Sequence, residues 1–87
     1  MDRFEKITKE MHDLYLIKNK NYGDSFSKQF KEYGLTSVCI RLEDKLNRLK
    51  SLNKQGIKAT VDDESIKDTL IDLANYSILA IMEMKEG

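Results

Sequence analysis

The sequence predicts an all-α fold, a small bundle of three long helices and one short helix. Three observations carry this. Apolar residues recur at helical spacing in four separate segments. Proline is absent, so nothing forces a break inside a helix. Polar stretches, two of them with a glycine, separate the periodic segments, as connections do. At 87 residues the chain makes one helical domain, 1–87, whose single core is marginal. Pairing or higher assembly into a homo-oligomer is therefore expected.

Taken in order, Phe4, Ile7, Met11, Leu14 and Tyr15 form one stripe, which predicts a helix near residues 2–19 with that stripe packed in the core. Asp2 near its start suits the helix dipole. His12 lies off the stripe and is expected in solvent. The polar run from Lys18 to Phe26 reads as a turn, and its lysines, asparagines, tyrosine and serine suit phosphate and base contacts. A solvated helix–helix connection explains the same residues equally well. Asp24 or Ser25 can cap a short helix over 25–33. Phe26, Phe30 and Tyr33 give it an apolar edge, and Gly34 is a stop signal.

Thr36 or Ser37 can cap a third helix over 37–52. Val38, Cys39, Leu42, Leu46 and Leu49 make its apolar arc, which treats Cys39 as a packed thiol. Beside the arc Arg41, Asp44, Lys45 and Arg48 fall at i, i+3, i+4 and i+7 and project together. A polar linker from Lys54 to Val61 follows. Asp62, Asp63 and Glu64 then open a last helix over 63–84, where acids stabilise the N-terminus. The short connection predicts that the third and fourth helices run antiparallel.

The last helix holds the chemical question. Leu70, Leu73, Ala74, Ile78 and Ile81 share an apolar face, and Glu64, Asp68, Asp72 and Asn75 form a second stripe. From Leu70 onward the segment is apolar almost all round, the pattern of a buried helix. A buried carboxylate costs several kcal/mol, roughly, unless cations, a metal or donors satisfy it. Asp68 and Asp72 therefore need partners. Either Arg41, Lys45 and Arg48 neutralise them across a helix seam, or a ligand or metal does.

Composition removes several classes. The 15 basic and 15 acidic residues cancel, which argues against a nucleic-acid binder driven by bulk charge. One cysteine and one histidine exclude an internal disulfide, a cysteine-based zinc site and a two-histidine metal site. No apolar run is long enough for a membrane span and no apolar signal region is present, so a cytoplasmic location is expected, the host cytoplasm if the chain is phage-encoded.

Three segments together resemble a known family: Lys20-Asn21-Tyr22-Gly23-Asp24-Ser25-Phe26, the run Arg41 to Leu49, and the run Asp63 to Tyr76. The set resembles the nucleotide modification-associated domain family of phages and bacteria, which is similar to the MazG-like all-α nucleoside triphosphate pyrophosphohydrolases. The resemblance covers about Lys18 to Ile81. It implies a helical bundle that binds a nucleotide, often as a dimer or tetramer. In MazG-like enzymes a Glu-Glu-x-x-Glu run and a Glu-x-x-Asp run hold magnesium on the triphosphate. Asp72 matches the Asp of the second run, and Thr69 stands where its Glu would be, with Asp68 as a neighbouring substitute. In the region of the first run only Glu43 and Asp44 are acidic.

This reduced carboxylate set leads to a first expectation, a non-catalytic binder that captures a nucleotide or cyclic-nucleotide signal, as a phage anti-defence sponge would. Lys18, Lys20, Asn21, Tyr22, Ser25, Arg41, Lys45, Arg48, Asp68, Asp72, Asn75 and Tyr76 are the expected ligand-binding residues, the basic ones on phosphate. No cofactor is then required. The alternative is a magnesium-dependent pyrophosphohydrolase in which Asp44, Asp68 and Asp72, with Glu64, hold the metal. A third possibility is a structural interaction module whose charge stripes are salt-bridged seams.

Overall fold

Four helices make up most of the computed structural model, which describes residues 1–22, 24–54 and 63–84. They are α1 (Arg3–Tyr22), α2 (Ser25–Tyr33), α3 (Leu35–Asn53) and α4 (Asp63–Glu83). Among the described residues there is no strand, so the all-α class and the pattern of three long helices and one short one hold. The expected linker, from residue 55 to Val61, and the acid Asp62 lie outside the described residues.

Local chemistry accounts for the boundaries. Asp2 accepts a hydrogen bond from the Glu5 backbone N–H at 2.8 Å and so caps α1. That helix continues to Tyr22, past the point where a turn from Lys18 was expected. Lysine is a good helix former, and Lys18-Asn19-Lys20 contains no breaker, so the ladder is not interrupted there. Asp24 precedes α2, but its side chain makes no capping bond; only its carbonyl accepts, from the Lys28 N–H at 2.9 Å.

Gly34 makes the break between α2 and α3. Its φ of 65° and ψ of −149° lie in a region essentially closed to residues with a Cβ. Its N–H donates to the Phe30 carbonyl at 2.7 Å, closing α2. Because the chain reverses within one residue, α3 begins at Leu35. Thr36 and Ser37 are inside it rather than caps, and the buried Ser37 hydroxyl donates to the Gly34 carbonyl at 2.8 Å.

The largest helix–helix contact joins α3 to α4. The two run antiparallel, as expected: Arg41 meets Tyr76, and Lys45, one turn later on α3, meets Asp72, one turn earlier on α4. Among the described residues Val38, Leu52, Ile71 and Ala80 are the buried apolar ones. Thr69 is buried with them, its hydroxyl satisfied by the Ser65 carbonyl at 2.7 Å. The Ser27 hydroxyl donates to the Glu83 carboxylate and ties the start of α2 to the end of α4.

Several expected core residues face outward. Phe4 is 77% exposed and Ile7 is also exposed, because the approach of α1 to α4 begins only near Thr8 to Met11, after these two residues. Met11, Leu14 and Tyr15, farther along, are half-buried. On α4 the anticipated apolar face is largely the outer one, with Leu70, Ile78 and Ile81 exposed and Ile81 at 65%. Cys39 and Leu46 are exposed on α3, so Cys39 is not a packed thiol. His12 is exposed as expected and stacks on Tyr15 at 6.2 Å between ring centroids. No described helix is long and apolar enough to cross a membrane.

The Gly34 geometry gives a direct check. A Cβ at this position would meet no atom within 4 Å, so any penalty for Gly34→Ala is backbone conformation alone. Urea unfolding should show a loss of about 1–3 kcal/mol. An unchanged midpoint would mean that the helix break does not need this conformation.

Candidate functional site

Three helices contribute charged side chains to one point. Asp72 on α4 accepts from the Lys18 ammonium of α1 through Oδ1 at 2.6 Å, and its Oδ2 lies 2.9 Å from the Lys45 ammonium of α3. The Asp72 side chain is only 16% exposed, so a lone carboxylate there would be costly. Burial pushes its pKa up, but the hydrogen bonds and charges of Lys18 and Lys45 together outweigh burial and hold it below the ordinary aspartate value.

One helical turn away, a second cluster is built. Arg41 precedes Lys45 by four residues on α3, and Tyr76 follows Asp72 by four on α4, so both pairs share a helix face. The Tyr76 ring stacks near Phe26 of α2, with centroids 6.0 Å apart and planes within 12°. The Arg41 guanidinium carbon lies 5.2 Å from the Phe26 centroid and 5.5 Å from that of Tyr76. Its Nε donates to the Gln29 side-chain oxygen at 2.7 Å.

Between the two clusters lies an open cavity of about 340 Å³. Lys18, Arg41 and Lys45 face it, with Asp72 as the one acid in its lining and Phe26 and Tyr76 among the apolar part. Of the expected residues it also brings in Ser25 and Asn75, whose amide nitrogen lies 3.4 Å from the Met11 carbonyl. On the far side of the Lys18–Asp72–Lys45 bridge a second cavity, about 450 Å³, is lined by Arg48 and Asp68, both exposed. Arg48 and Asp68 therefore stand apart from the aromatic cluster. The side chains of Lys20, Asn21 and Tyr22 lie outside the described residues.

The expected pairing of acids and bases is corrected in part. Asp72 is neutralised, by Lys45 as anticipated and by Lys18 from α1, which sequence reasoning did not pair with it. Asp68 is not held in a seam; it is exposed, and among the described residues no ion pair reaches it. Water satisfies an exposed carboxylate, so it needs no cation. Phe26 and Gln29 were also missed. They sit at i and i+3 on α2, a spacing that shares a face, but one apolar and one neutral residue carry no charge signal.

The donor set does not suit magnesium, which usually takes carboxylate oxygens with substrate phosphate and retained waters in near-octahedral geometry. Both oxygens of Asp72 face ammonium groups. Asp44 lines a different cavity, beside Arg41 and Lys45, and Asp68 shares the second cavity with Asp72 but also with Lys18, Lys45 and Arg48. Among the described residues no three His, Cys, Asp or Glu side chains converge.

The bridge has a pH signature. Because the folded pKa of Asp72 is depressed, its contribution to stability is fully present above the unfolded aspartate value and is lost as pH falls through the folded pKa. Asp72→Asn should cost about 1–2 kcal/mol at neutral pH. Urea titrations from neutral pH into the acid range should show a shallower loss for this variant than for the wild type. Parallel curves would show that Asp72 does not carry the acid sensitivity.

No curated protein and no solved structure matches the chain. A family model described as Nucleotide modification associated domain 1 matches residues 18–84. The match begins at Lys18 and takes in Arg41, Lys45, Asp72 and Tyr76, the residues that build both clusters, and the chain belongs to this nucleotide modification-associated family.

Proposed function

We propose that this chain is a non-catalytic nucleotide-binding protein whose ligand lies in the cavity between the lysine bridge and the aromatic cluster. One observation carries the reading: Asp72 holds two ammonium groups side by side at a cavity that also contains a guanidinium and a stacked aromatic pair. Each ammonium has three N–H donors and spends one on Asp72, which leaves donors for a phosphate. Three cations against one carboxylate leave the lining two charges positive. Asp72 is then a positioning residue, since without it the two lysines repel each other.

The cavity volume is at the small end of ligand sites, which run from roughly 300 to 1,000 Å³. A single nucleotide unit, linear or cyclic, is the ligand we assign. Capture of a cyclic-nucleotide signal, as in a phage anti-defence sponge, is the biological form of this reading. The competing reading is the magnesium-dependent pyrophosphohydrolase of the MazG-like enzymes. Against it stands the placement of two ammonium groups on the carboxylate that would have to ligate the metal; a dication among them is repelled.

Assembly belongs to the same proposal. Leu70, Ile78 and Ile81 present an apolar stripe outward from α4, and Phe4 and Ile40 are exposed elsewhere. Exposed apolar groups that line up along a helix are a pattern of association surfaces. We assign a homodimer or larger assembly, without a membrane or bulk nucleic acid as partner.

Two experiments follow. Calorimetric titration with nucleoside mono-, di- and triphosphates and cyclic nucleotides in EDTA should give binding. Lys45→Ala or Asp72→Asn should weaken it by about 1–3 kcal/mol. Binding or hydrolysis that appears only after magnesium is restored would return the chain to the hydrolases, and silence under both conditions leaves a structural module. Sedimentation at micromolar concentration should show a dimer or larger, and a monomer alone would remove the assembly from the proposal.

A further inference from the structure

We infer that Arg41 reads the nucleobase rather than the phosphate, and that the site prefers purines carrying a 6-oxo group, guanine or hypoxanthine, over adenine. The inference rests on the nucleotide-binding reading above and makes it more specific. It departs from the sequence expectation, in which Arg41 joined the other basic residues on the anion.

The geometry separates Arg41 from the lysine bridge. Lys18 and Lys45 meet at Asp72, whereas the Arg41 guanidinium lies over the Phe26 and Tyr76 rings and is anchored through Nε to Gln29. Arg41 to Lys45 and Tyr76 to Asp72 are each one turn of helix, about 5.4 Å along the axis. A ribose separates base from phosphate on the same scale. A nucleotide whose phosphate sits on the lysine ammonium groups therefore places its base at the aromatic cluster. Aromatic faces are what a base stacks on, and stacking alone does not discriminate among bases.

Discrimination comes from the guanidinium. With Nε committed to Gln29, the two Nη groups remain as a planar pair of donors, and among the described residues they have no hydrogen-bond partner. Such a pair matches two adjacent acceptors. Guanine and hypoxanthine offer O6 and N7 on one edge; adenine offers N7 beside the N6 amine, a donor that faces a donor.

The test uses the intact chain and four probes in EDTA: guanosine, inosine and adenosine monophosphates, and 7-deazaguanosine monophosphate, in which a C–H replaces the N7 acceptor. The expected result is similar affinity for the guanosine and inosine compounds, with the other two weaker by about tenfold or more. Arg41→Lys, which keeps the charge and loses the fork, should abolish the preference, leaving the guanosine and adenosine compounds with the same affinity. A purely electrostatic role would leave both affinities unchanged, because lysine keeps the charge, and a purely structural role would lower both together with their ratio kept. Equal binding of all four probes, or tighter binding of adenosine monophosphate, overturns the base-reading role and leaves the nucleotide-binding reading standing. Failure of every probe to bind overturns the base-reading role, and overturns the nucleotide-binding reading as well when the cyclic nucleotides and the di- and triphosphates also fail. If Arg41→Lys does not fold, the four probes on the wild-type chain decide the matter alone.

Discussion

A single carboxylate ties the three long helices together. Asp72 sits on α4, and its two oxygens face one lysine from α1 and one from α3. A mostly buried carboxylate with one cation would be poorly compensated; with two it is held below its ordinary pKa despite burial. The lysines in turn are held together against their mutual repulsion only because Asp72 lies between them. The arrangement fixes where α1 crosses α4, and α1 has few other means of doing so: the Asn75 contact to Met11 is long, and the Lys67–Glu10 pair is exposed on both sides. The interaction that holds the bundle also concentrates cations at the cavity.

The helices themselves were legible in the sequence, because periodicity and breakers are local properties. Gly34 and the absence of proline were enough to place α2 and α3 within two residues of their observed bounds. Which face of each helix turns inward was much less legible. From Leu70 to Met84 the fourth helix is apolar nearly all round, so its pattern does not single out an inner side. Packing singles it out, and packing put Thr69, Asp72 and Tyr76 inward while Leu70, Ile78 and Ile81 turned out. The N-terminal stripe of α1 failed for a different reason. Phe4 and Ile7 have the right spacing for a core, but spacing says nothing about how far the neighbouring helix reaches.

The candidate site divides along the same line. Residues on one helix could be grouped from their spacing, which is why Arg41 and Lys45, or Asp72 and Asn75, were correctly seen as neighbours. The partner of Asp72 on α1 is 54 residues away in the chain, and no local pattern links Lys18 to it. Phe26 and Gln29 were invisible as site residues because neither is charged and α2 had been read for its apolar edge. Their role appears only once α2 is folded back against α3 and Arg41 is seen to rest on both.

The charge of the site follows from this separation into two clusters. If all the basic residues served one anion, they would crowd together, as the periodicity of α3 alone suggests for Arg41, Lys45 and Arg48. Instead Lys45 is drawn to Asp72, Arg41 is anchored to Gln29 and the aromatic rings, and Arg48 remains exposed on the other side of the bridge. Cations spread in this way repel one another less and stay compatible with a folded apo state. The lining of the cavity still carries two uncompensated positive charges, one at the lysine bridge and one on Arg41 at the aromatic cluster, and a monophosphate, with up to two negative charges, balances that total without a metal. A triphosphate brings more negative charge than this lining can balance and would need further cations; Arg48, across the bridge, is the nearest candidate. Electrostatic balance therefore favours the same ligand size as the cavity volume does, and it does so from the positions of four side chains rather than from the space between them.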